Sequence, residues 1–393
     1  MAWKERSRMD NRILLIGEYL KGETPMTQLC REFGISRKTA YKWVARYSAD
    51  GPMGLEDRSR APHSHPSRLE SAVVEALLQA RRAHAHWGAR KILAWLARKQ
   101  PELTLPAAST VSEVFAKYGL SRARHARRRT PPYTDPFGEA DTANRIWCAD
   151  FKGDFKTGDH KRCYPLTMTD AFSRMLLRCT ALRSTKTARV QPIFESVFRE
   201  VGLPERIRTD NGTPFASRGA GGLSRLSIWW LKLGIRHERI EPGHPEQNGR
   251  HERMHRTLKQ ETLRPPASSM RTQQSRFDAF QREFNYERPH EGIEDETPAS
   301  RYARSAREFP RRLSAIEYPS SFTVRRVGAS GRIRWKSAQV TIGHALEGES
   351  IGIELGDSMH HVFFGDVRLG FLDDERPELG LVCPPVTCWA RVK

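Results

Sequence analysis

The apolar residues of this chain change their period twice, and each change marks a boundary between kinds of structure. Up to about residue 120 they recur at helical spacing. From about residue 144 they line up as strands, later alternating with helical stretches. From 318 to 375 they form short segments separated by Gly and Asp turns. A chain patterned this way reads as multidomain: helical pieces first, a mixed-sheet α/β piece in the middle, and a small all-β, barrel-like piece last. With 393 residues and 38% hydrophobic content, there is room for roughly two to four domains with real cores.

The first helical piece has the form of a helix followed by a helix-turn-helix. Ile13, Leu14, Ile16 and Leu20 give one stripe, and Leu29 and Phe33 give a short second helix. Gly34-Ile35-Ser36 then supplies a tight turn and an N-cap. The following helix, 37–47, buries Ala40, Trp43, Val44 and Tyr47 and turns Arg37, Lys38, Thr39, Lys42 and Arg46 outward. A helix that is apolar on one side and basic on the other suits the major groove of DNA. Residues 51–67 are rich in Pro, His, Ser and Gly and read as a linker. Residues 68–125 form a second helical unit, either another helix-turn-helix or a plain three-helix bundle; His84 and His86 read there as helix-end residues. Residues 126–139 combine Arg127, Arg128 and Arg129 with a proline-rich run, and read as a basic arm on a DNA backbone or a solvated linker.

In the central piece, strands at 146–155, 164–169 and 175–182 precede a helix at 186–201, a strand at 205–209, a helix at 222–233 and a strand at 235–240. A long helix then begins around Glu246. Three acids stand out against this pattern. Asp150 interrupts an apolar strand, which is costly unless the carboxylate is paired or metal-bound. Asp154 competes with it, being further along the same strand face. Asp210 lies at a strand's carboxyl end in Thr209-Asp210-Asn211-Gly212, where an α/β sheet puts its site, although an Asp cap on the Asn-Gly turn would explain it too. Glu246, in Gly243-His244-Pro245-Glu246-Gln247-Asn248-Gly249, follows Asp210 with thirty-five residues between. In a first helical turn its carboxylate would also complement the helix dipole, although the spacing and the Gln247-Asn248-Gly249 that follows weigh against that role alone. Three converging carboxylates make an all-oxygen site for hard divalent cations, two Mg²⁺ or Mn²⁺, which can clamp both oxygens of a phosphodiester displacement. Arg250 and Arg253, along the same helix, are suited to phosphates.

Charge agrees with that chemistry. Lys and Arg number 66 against 46 Asp and Glu, a net of +20, and residues 1–130 hold 25 of the basic residues against 12 acids. Such an excess points to a polyanion, double-stranded DNA before an anionic membrane, since no apolar run approaches the ~20 residues that span a bilayer. The six cysteines form no metal-binding set, so reduced thiols in a cytoplasm are expected, with no role assigned to Cys383 or Cys388. Arg325, Arg326, Arg332, Arg334 and Lys336 give the final β piece a basic surface.

With its carboxylate motifs, Tyr286, Arg288-Pro289-His290 and Thr297-Pro298, the chain resembles bacterial insertion-sequence transposases with a retroviral-integrase-type catalytic core. The resemblance implies a ribonuclease H-like core over 140–305, a β-barrel-like domain over 316–376, and Asp150, Asp210 and Glu246 as a metal-binding triad. It also implies a basic residue seven positions after the glutamate, here Arg253, and a homo-oligomeric complex on the element's terminal inverted repeats. The activity it implies is hydrolysis at the element ends followed by joining of the 3′-hydroxyls to target DNA. The alternatives are a helix-turn-helix repressor with an inactive core, and a nuclease of this fold that cuts without joining. The zinc-binding His/Cys domain of viral integrases is absent from the sequence.

Overall fold

The computed structural model describes residues 7–58, 69–121, 139–241, 245–336 and 338–383, without the side chains of Pro245, Glu246 and Pro377. It divides into two compact units, residues 1–69 and 70–393. The basic segment holding Arg127, Arg128 and Arg129 lies outside the described residues, as do His244 and Cys388.

The first unit holds α1 (Arg8–Lys21), α2 (Met26–Glu32) and α3 (Arg37–Asp50). Gly34, at φ +63°, makes the sharp turn between α2 and α3. Ser36 Oγ caps α3 by accepting the Thr39 amide at 3.2 Å. Leu15, Ile16, Leu29, Cys30, Ala40, Trp43 and Leu55 form the core. The α1 stripe differs from its expected position. Leu15 and Ile16 are buried, whereas Ile13 and Leu20 are 51% and 62% exposed. The helix is rotated by Arg12, whose guanidinium lies 4.0 Å over the Trp43 ring and donates to the Leu55 carbonyl at 2.7 Å. The expected linker also begins later than its composition suggests. Gly51–Leu55 is a 3-10 turn whose Leu55 is core, and Gly54 lies so close to α3 that a Cβ there would strike the Arg46 carbonyl.

In the second unit, α4 (Ser71–Ala83), α5 (Ala89–Lys99) and α6 (Ala108–Lys117) close around Leu77, Trp87, Ile92, Leu96, Val111 and Phe115. His84 caps the end of α4, as its position suggested, and stacks on Trp87 with ring centroids 3.8 Å apart. The bundle is fastened to residues far along the chain: His84 Nδ1 lies 3.1 Å from a Glu283 oxygen, and Arg90 donates to Asp295 at 2.7 Å.

The central sheet contains β1 (Ile146–Phe151), β2 (Phe155–Lys156), β3 (Arg162–Asp170), β4 (Leu176–Leu182), β5 (Arg206–Thr209) and β6 (Arg236–Arg239). Its order is β4–β3–β1–β5–β6, with β2 also pairing β3. The pairs β4–β3 and β3–β1 are antiparallel, and β1–β5 and β5–β6 are parallel. Alternation sorts β1 between two cores. Trp147 and Ala149 face α7 (Thr187–Val201) and α8 (Arg225–Lys232) in a cluster with Phe194, Phe198, Ile207 and Trp230. Cys148 and Asp150 face the other side. There α9 (Gly249–Thr262) and α10 (Met270–Tyr286) bury Met254, Leu258, Phe277 and Phe280 against Cys163, Leu176 and Cys179. Two boundaries differ from expectation. β1 stops at Phe151 because Gly153 turns the chain at φ +76°, so Asp154 leaves the strand face and pairs in the open with Arg162 at 3.3 Å. Residues Pro245–Asn248 form a 3-10 turn, and the α-helix starts only at Gly249.

The last part has β7 (Phe322–Arg326), β8 (Arg332–Trp335), β9 (Ala338–Thr341), β10 (Ser350–Glu354), β11 (Met359–Phe364) and β12 (Val367–Asp373). The order β12–β11–β10–β7 makes one antiparallel sheet, and β8–β9 a hairpin over the same core of Ile333, Val340, Ile351, Ile353, Val362 and Phe364. The stretch 332–341 is two strands, separated by a turn at Lys336 (φ +49°). Among the described residues no helix is long and apolar enough to cross a membrane.

Phe194 is fully buried against Phe198 and Trp230 under the β1–β5 pair. Phe194→Ala is expected to cost about 3–5 kcal/mol in urea denaturation; a loss below about 1 kcal/mol would show that this cluster does not hold the sheet.

Candidate active site

The site starts from strand register. β1 and β5 run parallel with Cys148 opposite Arg208. Asp150 and Asp210 each lie two residues further on, side by side where the two strands deliver their carboxyl ends. Burial, followed by repulsion from Asp210, pushes the Asp150 carboxyl up to about 7, partly offset by the Phe151 amide and Lys152. Asp210 is half-buried, and its Oδ1 accepts the Gly212 amide at 3.1 Å. The turn-capping role and the site position therefore coexist. Gly212 belongs to this arrangement, since a Cβ there would lie 3.0 Å from Asp210 Oδ2. Asn211 donates to the Ile240 carbonyl at 2.8 Å and ties the turn to the end of β6.

A third acid reaches Asp150. Glu252, exposed in the first turn of α9, adds to the upward push on the Asp150 carboxyl. It was not among the candidates read from sequence, yet a signal was available. Lys259 follows it by seven positions, the same spacing that had been applied to Glu246 and Arg253. Glu246 has its backbone in the preceding 3-10 turn, and its side chain is outside the described atoms.

Two buried histidines of α9 stand behind the acids. His251 places Nε2 2.8 Å from Thr167 Oγ1 and Nδ1 2.7 Å from Thr169 Oγ1. His255 places Nε2 2.7 Å from Thr167 Oγ1 and Nδ1 3.7 Å from Asp150 Oδ2. Asp150, His251 and His255 offer ligand atoms within 4.8 Å of one another. Both nitrogens of His251 are already engaged by hydroxyls, so this trio does not make a free nitrogen-rich metal site. Burial holds His251 neutral, down to about 3, and His255 further down, with Lys152 adding to both. The neutral histidines and Thr167, which donates to the Asp150 carbonyl at 3.0 Å, form a bracket between α9 and β3 that fixes Asp150. The donors left facing outward are carboxylate oxygens, which fit a hard divalent cation.

The basic residues divide. Arg253 is exposed, and Arg250 donates to the Ala171 carbonyl at 2.8 Å. On α3, Arg37, Lys38 and Lys42 are exposed, with Lys42 4.6 Å and Arg46 5.0 Å over the Trp43 ring. The Thr39 hydroxyl lies 2.9 Å from Ser36 Oγ and is part of the helix cap.

A five-stranded mixed order of this kind, with acids at the carboxyl ends of its two central parallel strands, defines a ribonuclease H-like core of the integrase type. Sequence comparison agrees. Residues 140–245 match a family model described as integrase core domain, and residues 233–298 match a second with that description. Residues 11–63 match a helix-turn-helix domain and residues 39–115 a homeodomain-like domain. The chain therefore carries an integrase core behind helix-turn-helix domains, the kind of architecture that acts on DNA with divalent metals.

Its relatives include mobile-element proteins. The uncharacterized 39.2 kDa protein of insertion element IS476 from Xanthomonas euvesicatoria is 25% identical over 279 residues, 69% of this chain and 76% of that protein. The uncharacterized 31.7 kDa protein of insertion element IS407 from Burkholderia multivorans is 24% identical over 267 residues, 67% of this chain and 85% of the other. The Gag-Pol polyprotein of baboon endogenous virus is 30% identical over 192 residues, 48% of this chain and 10% of the polyprotein.

The pKa of Asp150 has a consequence for stability. Its folded value, about 7, exceeds the ordinary 3.8, so ionisation opposes folding, and metal-free stability should fall as pH rises from about 4 to about 7. Asp150→Asn removes that cost. Denaturation in the presence of a chelator is expected to show the variant more stable by about 2–4 kcal/mol at about pH 8 and equal near pH 4; a variant less stable at the higher pH would refute this.

Proposed function

We propose that the protein is a DNA transposase that binds the terminal inverted repeats of a mobile element, cleaves the element ends and joins the 3′-hydroxyls to target DNA. Its third carboxylate is Glu252. The observation that supports this most directly is the side-by-side placement of Asp150 and Asp210 with the charge of Glu252 reaching Asp150. Asp150, Asp210 and Glu252 would hold two Mg²⁺, or Mn²⁺ in their place. When bound, these ions activate water or a 3′-hydroxyl and neutralise charge on the phosphate being transferred. The protein's own part is positioning. The strand ends fix two carboxylates, α9 brings the third, and the His–Thr bracket keeps Asp150 oriented. No Ser or Tyr nucleophile is needed, because the DNA supplies the attacking oxygen.

In this reading the exposed face of α3, with Arg37, Lys38, Lys42 and Arg46, enters a major groove of the repeat, and Thr39 serves mainly as part of the cap. The segment with Arg127, Arg128 and Arg129 would follow the backbone. Joining two ends in one event calls for a homo-oligomer that brings both ends together.

The test is a labelled element end with Mg²⁺ and a target plasmid. The protein should cut and join. Asp150→Asn, Asp210→Asn and Glu252→Gln should each lower both reactions by at least about 10³-fold, while binding remains. Glu246→Gln serves as the contrast. If it abolishes activity while Glu252→Gln does not, the third carboxylate is Glu246. Binding without cutting would indicate a repressor, and cutting without joining a nuclease.

Recognition is tested separately. Arg37→Ala with Lys42→Ala should weaken binding to the repeat and reduce its salt slope by about two units in a gel-shift series. An unchanged slope would take α3 out of the interface.

A further inference from the structure

A second constellation lies beside the acids, and nothing in the proposed chemistry uses it. A cavity of about 70 Å³ is walled by Lys91 of α5, by Arg174 in the turn after β3, by Arg250 and Arg253 of α9, and by Arg288 and His290 from the segment after α10. Among the described residues, Asp170 is the only acid in its lining. Its oxygens are already accepting from the Asn144 and Ser173 amides and the Ser173 hydroxyl. Arg288 pairs with Glu261 at 2.7 Å.

Several features indicate that this concentration of positive charge is built rather than incidental. Arg174 occupies the left-handed region, at φ +67°, which is unfavourable for a side-chain-bearing residue. Gly292 makes room for it, since a Cβ there would come within 2.7 Å of Arg174 Nη2. Arg174 Nε is buried with no hydrogen-bond partner among the described residues. Burial, then Arg250 and Arg253, lower the Arg174 pKa to about 10; burial, then Arg288, lower Lys91 to about 8. Like charges gathered out of water with an unused donor are costly, and a bound anion would offset that cost. Guanidinium groups favour the tetrahedral oxygens of phosphate.

We propose that this cavity is a phosphate pocket that receives a backbone phosphodiester of the bound DNA, next to the strand being cut. Its lining includes Cys148, two residues before Asp150 on the same face of β1, and its exposed edge is Arg253 of α9, so the pocket opens beside the proposed acids. Its walls come from four separate stretches: a helix of the α4–α6 bundle, the turn after β3 that holds Arg174, the helix that carries the acid, and the Arg288-Pro289-His290 motif. A phosphate held here joins the bundle to the core when DNA is in place. This rests on DNA being the substrate of the neighbouring acids.

The experiment uses the full chain as wild type and as Arg174→Gln, Lys91→Met and Arg253→Gln. Thermal melting is compared in sodium phosphate and in sodium chloride of equal ionic strength, and duplex binding is followed by anisotropy over a salt series. Phosphate should raise the wild-type melting temperature, and Arg174→Gln and Lys91→Met should remove the excess over chloride. The salt slope for DNA should fall by about one unit in Arg174→Gln and in Arg253→Gln, whose exposed side chain makes misfolding a poor explanation. Equal phosphate protection in all proteins would mean a general solvent effect and would overturn the pocket. Lost protection with an unchanged slope would leave a free-anion site and overturn the DNA assignment. A reduced slope with no phosphate protection in wild type would reduce the cluster to diffuse surface charge. Failure of wild type to cut DNA, with protection and slope behaving as expected, would refute the catalytic reading while the pocket stands.

Discussion

The parallel pairing of β1 with β5 is the contact on which the rest of the site depends. It sets two aspartates from distant parts of the chain at one edge of the sheet, and the pairing holds because Trp147 and Ile207 are buried together against Phe194, Phe198 and Trp230. An aspartate at the end of such a strand sits among apolar neighbours and close to a second carboxylate. That proximity is unfavourable to folding, as the raised pKa of Asp150 records. A bound cation would offset that cost, as protonation does below about pH 7.

The opposite face of the same strand explains the buried polar groups. Cys148 and Asp150 look toward α9, a polar helix that could have buried only apolar residues such as Met254 and Leu258 on this side. It instead inserts His251 between Thr167 and Thr169, and His255 between Thr167 and Asp150. A histidine kept neutral can offer one donor and one acceptor, so each ring can satisfy a hydroxyl without adding charge near the carboxylates. The arrangement gives helix surface over to orientation rather than to packing, and it leaves Glu252 and Arg253 on the exposed side.

Positive charge is distributed by purpose rather than evenly. On α3 it is displayed outward around the Trp43 ring. At the junction of α5, α9 and the segment after α10 it is drawn inward around a cavity. Net charge alone predicts a polyanionic partner, but the two arrangements differ physically. Exposed lysines and arginines act mainly through counterion release. Partly buried arginines with fixed directions position a particular phosphate.

Much of the architecture was legible because the periods of burial are written into the chain. The apolar pattern placed the helices of the first units, nearly every strand of the core and the small β part, and the Gly-Ile-Ser turn placed the start of α3. Asp150 and Asp210 were legible for the same reason: an acid in an apolar strand and an acid at a strand's end are locally anomalous. The acid proposed as the third carboxylate was not. Spacing from Asp210 favoured Glu246, but spacing counts residues and ignores the 3-10 turn that delays α9 to Gly249; only the fold brings the charge of Glu252 to Asp150. The rotation of α1, the incorporation of Leu55, the His–Thr bracket and the phosphate pocket were equally invisible, because each depends on side chains that meet across long loops. The sequence by itself determined which segments fold and that acids and cations are present. The tertiary structure decided which of them face each other, since electrostatic contact depends on distance in space and not along the chain.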